Sequence, residues 1–395
     1  MSSNLKSWQR TAIRNNMANY RRAQDNYAVM HKQIIELENG HKAFSLVSPP
    51  IGSPVARRRI KLIMEDNIHP GHEGQENQTA SFEKRTPHVI TIAVNYDCQC
   101  SCEHCSAAPY QEEVRNKNNS LTLAELKNVV DQTVDLGTTC VVLTGGEPLL
   151  FDSIYDLVET VDKKRSVCTM FSNGEFLTEE NVGRLKKAGL FGIYVSLDHS
   201  DPKQHDTNRG RPGLAEKAFE GLKRCQQAGI PTGISTFATR EKLASGEMDA
   251  MMDLAKSLNV LEVFIFDVVP TGRLLNHHEC TLTDEEIDRL RDFRERYNEK
   301  PDYPRIVHQT MFSSIAYPCA AEGCPAAMVQ MHLRANGEIS PCDFTPFSFG
   351  NIRELSLKEI WDRMTNSELY KRPSARCRLS KREFWDRLAE HAAKP

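Results

Sequence analysis

Residues 88–105 read HVITIAVNYDCQCSCEHC, and this stretch is the starting point for interpreting the rest of the chain. Its first half, Val89–Tyr96, is rich in β-branched residues and predicts a buried strand. Its second half is a short loop in which Cys98, Cys102 and Cys105 have the spacing C-x3-C-x2-C. A tight loop with this spacing can turn three thiolates toward one point. The stretch therefore predicts a strand that ends in a loop able to bind a metal or an iron–sulfur cluster.

Beyond this strand, short β-branched runs alternate with helical segments as far as about residue 300. Such alternation is typical of βα units around a parallel sheet. Thr122 with Glu125 has the pattern of a helix-opening capping box, and Gly137 stands where that helix would end. Six βα units predict a partial TIM-like barrel, an α/β fold in which functional residues follow the carboxyl ends of the strands. The predicted strands are Val89–Tyr96, Thr139–Leu143, Val167–Phe171, Gly192–Leu197, Pro231–Phe237 and Leu261–Asp267.

The two ends of the chain differ from this pattern. Apolar residues recur at helical spacing over residues 1–47, and a polar linker follows, so residues 1–85 are expected to form a helical N-terminal extension. After the barrel, a hairpin turn at Asn336-Gly337 and a helix opened by Ser356 indicate a small α+β module. We therefore expect three parts: 1–85, a core domain over 86–300, and a C-terminal module over 301–395.

Composition restricts the possible functions. The 395 residues include 50 Lys and Arg against 53 Asp and Glu, a net charge of -3 that gives no general attraction to nucleic acid. No apolar run approaches the ~20 residues of a membrane span, and the N-terminus has no signal-peptide pattern, so a cytoplasmic location is expected. Thiols stay reduced there, so the 12 cysteines favour metal or iron–sulfur ligation over disulfides. The sequence does not indicate an oligomeric state.

The cysteine loop leaves two kinds of site open. Three thiolates on a four-iron cluster leave one iron without a protein ligand, and an open position is what catalysis at a metal needs. Alternatively, Cys102 and Cys105 could form a zinc knuckle that Cys98 and Cys100 complete.

The position of the C-x3-C-x2-C loop after the first barrel strand resembles the radical S-adenosylmethionine (SAM) enzymes. The resemblance implies that Cys98, Cys102 and Cys105 hold a [4Fe-4S] cluster whose open iron chelates the amine and carboxylate of SAM. Reductive cleavage of SAM would then give a 5′-deoxyadenosyl radical that abstracts hydrogen from a substrate. A reductant such as flavodoxin or ferredoxin is the implied partner.

The same resemblance implies a SAM site at the following strand ends. Gly145, Gly146, Glu147 and Pro148 match the family's GGEP motif, in which the glutamate can pair with the SAM ammonium. Ser172 and Asn173 match a position that lines the SAM pocket. In relatives the residue matching Ser196 faces the ribose, and the residue matching Arg209 faces the carboxylate. Ser196 and the nearby Asp198, also assigned to the cofactor site, could instead be simple helix caps.

A second group of cysteines lies in the C-terminal module. Cys324, Gly337 and Cys342 have the spacing C-x12-G-x4-C, which resembles the opening of SPASM and Twitch auxiliary-cluster domains. Only Cys377 follows, so the resemblance implies one fully ligated auxiliary [4Fe-4S] cluster that carries electrons. Its four expected ligands are Cys319, Cys324, Cys342 and Cys377. A four-thiolate zinc site is the alternative. The remaining thiols are expected to be buried and without a ligand role: Cys140, Cys168, Cys225 and Cys280.

Asp343 directly follows Cys342, as in the sulfatase-maturating enzymes, where the matching Asp acts as a general base. Asp343 is therefore the expected catalytic residue, and an acid without a role is the alternative. Together these features predict a radical SAM oxidoreductase that acts on a small molecule, either a metabolite or a cofactor precursor. Modification of a ribosomally made peptide or protein is the second possibility; the N-terminal segment, predicted helical, looks unlike the winged-helix domain that often binds such peptides. A non-catalytic iron–sulfur or zinc protein is the alternative of another class.

Overall fold

A computed structural model describes residues 34–66, 85–310 and 323–392 of the chain. The strands are β1 Ile35–Glu36, β2 Lys42–Ala43, β3 Val89–Ala93, β4 Cys140–Thr144, β5 Val167–Ser172, β6 Gly192–Ser196, β7 Thr232–Ala238, β8 Glu262–Asp267, β9 Arg305–His308, β10 Gln330–Leu333, β11 Glu338–Ser340 and β12 Gly350–Asn351. The α-helices are α1 Pro54–Glu65, α2 Ala108–Lys117, α3 Leu123–Leu136, α4 Ile154–Thr160, α5 Glu179–Ala188, α6 Pro202–Arg209, α7 Leu214–Gln227, α8 Arg240–Ser245, α9 Glu247–Ser257, α10 Asp284–Asn298, α11 Leu357–Asn366 and α12 Arg382–Ala392. No helix in these three ranges combines the length and apolar character needed to cross a membrane.

The centre of the fold is one 10-stranded sheet in the order β12-β11-β10-β3-β4-β5-β6-β7-β8-β9. Strands β3 to β9 are parallel to their neighbours, and helices connect them. The predicted α/β fold with a partial barrel is confirmed, and each of the six predicted strands is present within a few residues of its predicted limits. The predicted capping box of Thr122 and Glu125 opens α3, and Gly137 closes it with φ +121°.

The sheet continues past residue 300, where the sequence analysis had the strand pattern stop. β9 adds a seventh parallel strand beside β8, and its four residues are too few to show a pattern in the sequence. The predicted hairpin of β10 and β11 exists, but it is part of the barrel sheet, because Met331 of β10 pairs in parallel with Ile90 of β3. The C-terminal residues are therefore joined to the core by backbone hydrogen bonds and do not form a separate sheet.

The helix predicted over residues 1–47 is wrong for its described part, and residues 1–33 lie outside the described ranges. β1 and β2 form a small antiparallel sheet there, with Ile35 opposite Ala43. The chain reverses at Asn39-Gly40, where Gly40 has φ +74°, a conformation that favours glycine. The Asn-Gly pair is the turn between these two strands.

The residues after β2 close the barrel at the amino ends of its strands. Glu262, the first residue of β8, is fully buried and accepts hydrogen bonds from the Leu46 amide at 2.8 Å and the Ser45 hydroxyl at 3.2 Å. The Tyr194 hydroxyl donates to the same carboxylate. Burial raises the pKa of Glu262, and all three donors bind its Oε1 atom. Because this end is filled by Leu46 and its neighbours, the barrel can admit a ligand at the opposite, carboxyl end of the strands.

At that opposite end, loops from the two sides of the sheet meet. The Thr271 hydroxyl, after β8, donates to the Phe344 carbonyl, after β11, at 2.7 Å. The rings of Phe266 and Phe344 also pack edge to face with centroids 5.8 Å apart. These contacts connect the β8 side to the β11 side and enclose a space between them.

Candidate active site

A cavity of about 300 Å³ lies at the carboxyl ends of the barrel strands, and both groups of cysteines line it. On one side are the three thiols of the loop after β3; on the other are the described thiols of the C-terminal residues. The six are Cys98, Cys102, Cys105, Cys324, Cys342 and Cys377. Cys319 lies outside the described residues. The structure thus places two predicted ligand sets, far apart in sequence, around one space.

The four cysteines that were expected to have no ligand role lie away from this cavity. Cys140, Cys168 and Cys225 are fully buried in the protein interior, as expected, whereas Cys280 is only half-buried. Among the described residues, no three Cys, His, Asp or Glu side chains are already arranged to hold a metal ion. Which cysteines ligate iron therefore stays a prediction, and the chemistry of the three-thiol loop is what supports it.

The loop after β3 is fixed by the loop after β4. The amide of Gly146 donates to the Asn95 carbonyl at 3.0 Å, and the amide of Glu147 donates to the Asp97 carbonyl at 2.7 Å. A Cβ atom at Gly146 would lie 2.2 Å from the Asp97 carbonyl oxygen, so only glycine permits this approach. The glycines of the GGEP motif thus line the cavity and also lock the cysteine loop to β4.

Two further elements hold the cysteine loop. The Ser101 amide donates to the Arg209 carbonyl at the end of α6, at 2.9 Å. From the loop after β8, the Arg273 amide donates to the Cys105 carbonyl at 3.1 Å, and its guanidinium donates to the Cys102 carbonyl at 2.5 Å. With its backbone held on three sides, the loop can present its thiols without a large ordering cost when a cluster binds.

The electrostatics of the loop favour thiolates at two of its positions. A hydrogen bond from the Cys100 thiol is the largest cause that lowers the pKa of Cys102 to about 7, and the Arg209 charge lowers it further. The same thiol is the largest cause that lowers the pKa of Cys98. Burial raises the pKa of Cys105. Thiolates are the form that binds iron, and Cys100 does not line the cavity, so this arrangement suits a three-thiolate site better than the four-thiolate zinc alternative.

Glu147 is placed differently from its expected position facing SAM. Its carboxylate is fully buried off the cavity wall, where it accepts hydrogen bonds from the Ser172 hydroxyl at 2.9 Å and the Asn173 amide at 2.8 Å. The Leu149 amide donates to it at 3.2 Å, and Pro148 begins a short helical turn that is also off the wall. Glu147 therefore positions the ends of β4 and β5, and a direct contact with the SAM ammonium stays a prediction.

The buried position of Glu147 predicts a pH dependence of stability. Burial raises the pKa of Glu147 from 4.5 to about 7, so between these values the folded chain holds a proton that the unfolded chain has released. The free energy of unfolding of the metal-free chain should fall by about 2 kcal/mol as the pH rises from 5 to 7.5, through this group alone. Urea unfolding of the Glu147→Gln variant should show a flatter pH dependence. If the free energy of unfolding depended on pH equally in Glu147→Gln and in the exposed control Glu159→Gln, the raised pKa of Glu147 would be contradicted.

Three other predicted SAM-site residues line the cavity as expected. Ser172 and Asn173 follow β5, and the Nδ2 atom of Asn173 is buried without a hydrogen-bond acceptor among the described residues. Ser196, at the end of β6, shares a hydrogen bond of 3.0 Å with Ser235 of β7. An unused donor on the wall is the kind of group that a bound ligand would satisfy.

Asp198 and Arg209 form a buried ion pair on the same wall. The guanidinium donates two hydrogen bonds to the carboxylate, at 2.6 Å from Nε and 2.8 Å from Nη2. Burial alone would raise the pKa of Asp198, but the Arg209 charge, with His104 at 3.7 Å, outweighs it and lowers the pKa. The helix-cap alternative fails because Asp201 caps α6. Since Arg209 is already paired, its contact with a SAM carboxylate stays a prediction.

Asp343 lies on the cavity wall beside the C-terminal cysteines. Nδ1 of His332 lies 2.8 Å from the Asp343 carboxylate. The side-chain amide of Gln330 donates from Nε2 to the same carboxylate at 3.4 Å. Burial would raise the pKa of Asp343, but His332 and the Thr91 hydroxyl lower it on balance. The group is therefore an ionised, oriented hydrogen-bond acceptor facing the cavity, as a proton acceptor must be before it acts.

A third carboxylate on the wall, that of Asp267, was missed in the sequence. Asp267, the last residue of β8, accepts a hydrogen bond from Nε2 of His308 in β9 at 3.0 Å. The Thr310 amide lies 3.3 Å from Nδ1 of His308; because an amide can only donate, Nε2 carries the imidazole proton. The expectation that functional residues follow strands would have found Asp267, but β9 itself gave no signal.

A parallel βα barrel with two groups of cysteines around one cavity defines a class of enzymes that use iron–sulfur clusters at the carboxyl ends of barrel strands. Two family models match the chain: the radical SAM superfamily over residues 92–245, and the SPASM iron–sulfur cluster-binding domain over residues 324–385. The chain belongs to the radical SAM superfamily and carries a SPASM domain. Its cofactors are accordingly SAM and a [4Fe-4S] cluster, and the SPASM domain implies auxiliary iron–sulfur clusters.

Similar proteins act on different kinds of molecules. An AdoMet-dependent heme synthase of Methanosarcina barkeri is 28% identical over 72% of this chain and 84% of its own length. The PqqA peptide cyclase of Rhizobium meliloti is 26% identical over 70% of this chain and 73% of its own length. The structure of Streptococcus suis SuiB bound to its precursor peptide SuiA has a TM-score of 0.59 and 18% identity, covering 80% of this chain and 70% of that one. The last match supports the fold alone.

Proposed function

We propose that this chain is an oxidative radical SAM enzyme that removes hydrogen and an electron from a small metabolite or cofactor precursor. The observation that carries the proposal is that Asp343 and both groups of cysteines line the same cavity. A substrate held there would be within reach of a hydrogen-abstracting group, an electron acceptor and a base.

Each part of the wall would have its own task. Cys98, Cys102 and Cys105 would hold the first cluster, while Asn173 with its free Nδ2 would orient SAM. When bound, SAM and the clusters would supply a 5′-deoxyadenosyl radical and an acceptor for one electron. Asp343 would accept the proton that a substrate loses on oxidation, and His332 would keep its carboxylate oriented.

The choice of a cofactor precursor is supported by the heme synthase similarity and by the shape of the wall. Five phenylalanine rings line the cavity and suit a flat apolar body: Phe171, Phe237, Phe264, Phe266 and Phe344. The peptide-modifying relatives keep a peptide substrate as the second candidate. Residues 34–47 no longer argue against it, because they are not the helix that was expected.

The test is anaerobic reconstitution with iron and sulfide, followed by SAM and dithionite. The proposal expects about eight iron atoms per chain and release of 5′-deoxyadenosine. A flat small molecule with an aromatic body and an amine should then be offered in parallel with a short synthetic peptide. Each product is identified by mass spectrometry, and its amount is compared with that of the nucleoside. An oxidised small molecule supports the proposal, and an oxidised peptide moves it to the second candidate. An iron-loaded protein that releases no nucleoside would instead be a non-catalytic iron–sulfur protein.

A further inference from the structure

Gln309 is an unused polar side chain on the cavity wall, in the first position after β9. It is 8% exposed and lines the cavity, and its Oε1 atom has no hydrogen-bond donor among the residues that the structure describes. Its backbone is held by the sheet, because the Gln309 amide donates to the Ile265 carbonyl of β8 at 3.1 Å. A buried acceptor without a donor costs roughly 1–3 kcal/mol, so this position is unfavourable unless something bound in the cavity pairs with it.

The neighbouring Asp267 is a second acceptor with a fixed orientation. His308 donates to Oδ1 at 3.0 Å, while the donor to Oδ2 within the described part of the chain is the Thr310 hydroxyl, at the long distance of 3.4 Å. Both Asp267 and Thr310 line the cavity. One oxygen of the carboxylate is therefore held by the protein, and the other retains most of its capacity to accept a hydrogen bond from a ligand.

The charge of the wall points in the same direction. The described lining residues include three carboxylates, of Asp198, Asp267 and Asp343, and a single Lys or Arg side chain, Arg209. Arg209 is used by Asp198 through its two hydrogen bonds. Of the three carboxylates, Asp267 lies on the β8–β9 side, where it stands beside the acceptor of Gln309, so this side attracts donor groups and repels anions.

We propose that Asp267, Gln309 and Thr310 form a substrate subsite for a nitrogen-bearing group with N–H donors, an ammonium or a primary amide. The apolar part of the same molecule would pack on Phe266 and Phe344, whose rings contact each other edge to face on the cavity wall. The subsite rests on the proposed function in one respect only, since it assumes that this cavity receives the substrate. It limits the substrates to those that carry such a nitrogen beside an apolar body.

Equilibrium binding of a matched pair of probes to the reconstituted holoenzyme tests the subsite without turnover. Benzylammonium has the aromatic body and the donor, whereas benzoate has the same body with the opposite charge. Ligand-observed NMR titration should give saturable binding of benzylammonium in the millimolar range and at least about tenfold weaker binding of benzoate. Asp267→Asn should weaken benzylammonium about tenfold or more, and Gln309→Ala should weaken it severalfold.

The control is Asp131→Asn, an exposed position on α3, which should bind benzylammonium like the unmodified chain. Gln309→Ala guards against misfolding of the Asp267 variant, because it removes no charge and leaves the His308 partner intact. Equal binding of both probes, unchanged binding in both variants, or no saturable binding of benzylammonium would each overturn the subsite. Failure of the proposed function would appear separately, as absence of 5′-deoxyadenosine in the reconstitution assay.

Discussion

Joint replacement of Cys98, Cys102 and Cys105 by alanine is expected to reduce 5′-deoxyadenosine release to background, a loss of more than about a thousandfold. These thiols line the cavity at the cysteine loop, and cleavage of SAM depends on the cluster they are predicted to hold. The reconstituted variant should also bind about four fewer iron atoms per chain. Nucleoside chromatography and an iron assay on the same sample measure both effects.

The matched control for this prediction is Cys225→Ala, a buried cysteine on α7 away from the cavity. It removes a thiol without touching either group of predicted ligands, so iron content and nucleoside release should stay near those of the unmodified chain. If the triple variant still released nucleoside with dithionite, or if zinc proved to be the bound metal, the assignment of the loop would be wrong.

Replacement of Asp343 by asparagine is expected to reduce the yield of oxidised product per nucleoside by about 10²- to 10⁴-fold. The amide keeps the shape and can still approach His332, but it cannot accept the proton released by the substrate. In the unmodified chain, His332 and Thr91 lower the pKa of Asp343 despite burial, so the carboxylate is ionised at neutral pH. The loss of product yield should therefore persist across pH 6.5–8.5. Product and nucleoside are quantified together by mass spectrometry.

The matched substitution for this experiment is Asp292→Asn, an exposed position on α10, which should keep the normal yield. An Asp343→Asn variant with the same product-to-nucleoside ratio as that control would favour the alternative, in which Asp343 is an acid beside the cysteines without a role in the reaction. If the two product-to-nucleoside ratios were equal, Asp267 would be the next residue to test as the proton acceptor.

Local signals in the sequence were enough for much of this architecture. The β-branched run Val89–Tyr96 and the cysteine spacing lie within eighteen consecutive residues, so strand and loop could be read together. Capping residues such as Thr122 are recognised because they act within one helical turn. By contrast, Asn39-Gly40 fits either a helix end or a strand turn, and only its partner strand decides between them.

The remaining features depend on contacts between distant residues. The GGEP motif identifies Glu147 but not its direction, which is set by donors from Ser172 and Asn173 on the next strand. The pair of Asp267 and His308 exists because β8 and β9 are neighbours, and β9 was not recognised in the sequence. A cytoplasmic location and the three domain limits stay predictions.

The parallel pairing of β10 with β3 has a consequence for how the protein is made. Val89 and its partner Gln330 are separated by about 240 residues, so the nascent chain emerges from the ribosome with one edge of its first barrel strand unpaired. At synthesis rates of about 5–20 residues per second, that edge waits more than about ten seconds for its partner. An exposed strand edge invites wrong pairing, so chaperone supply and translation speed should limit the yield of soluble recombinant enzyme.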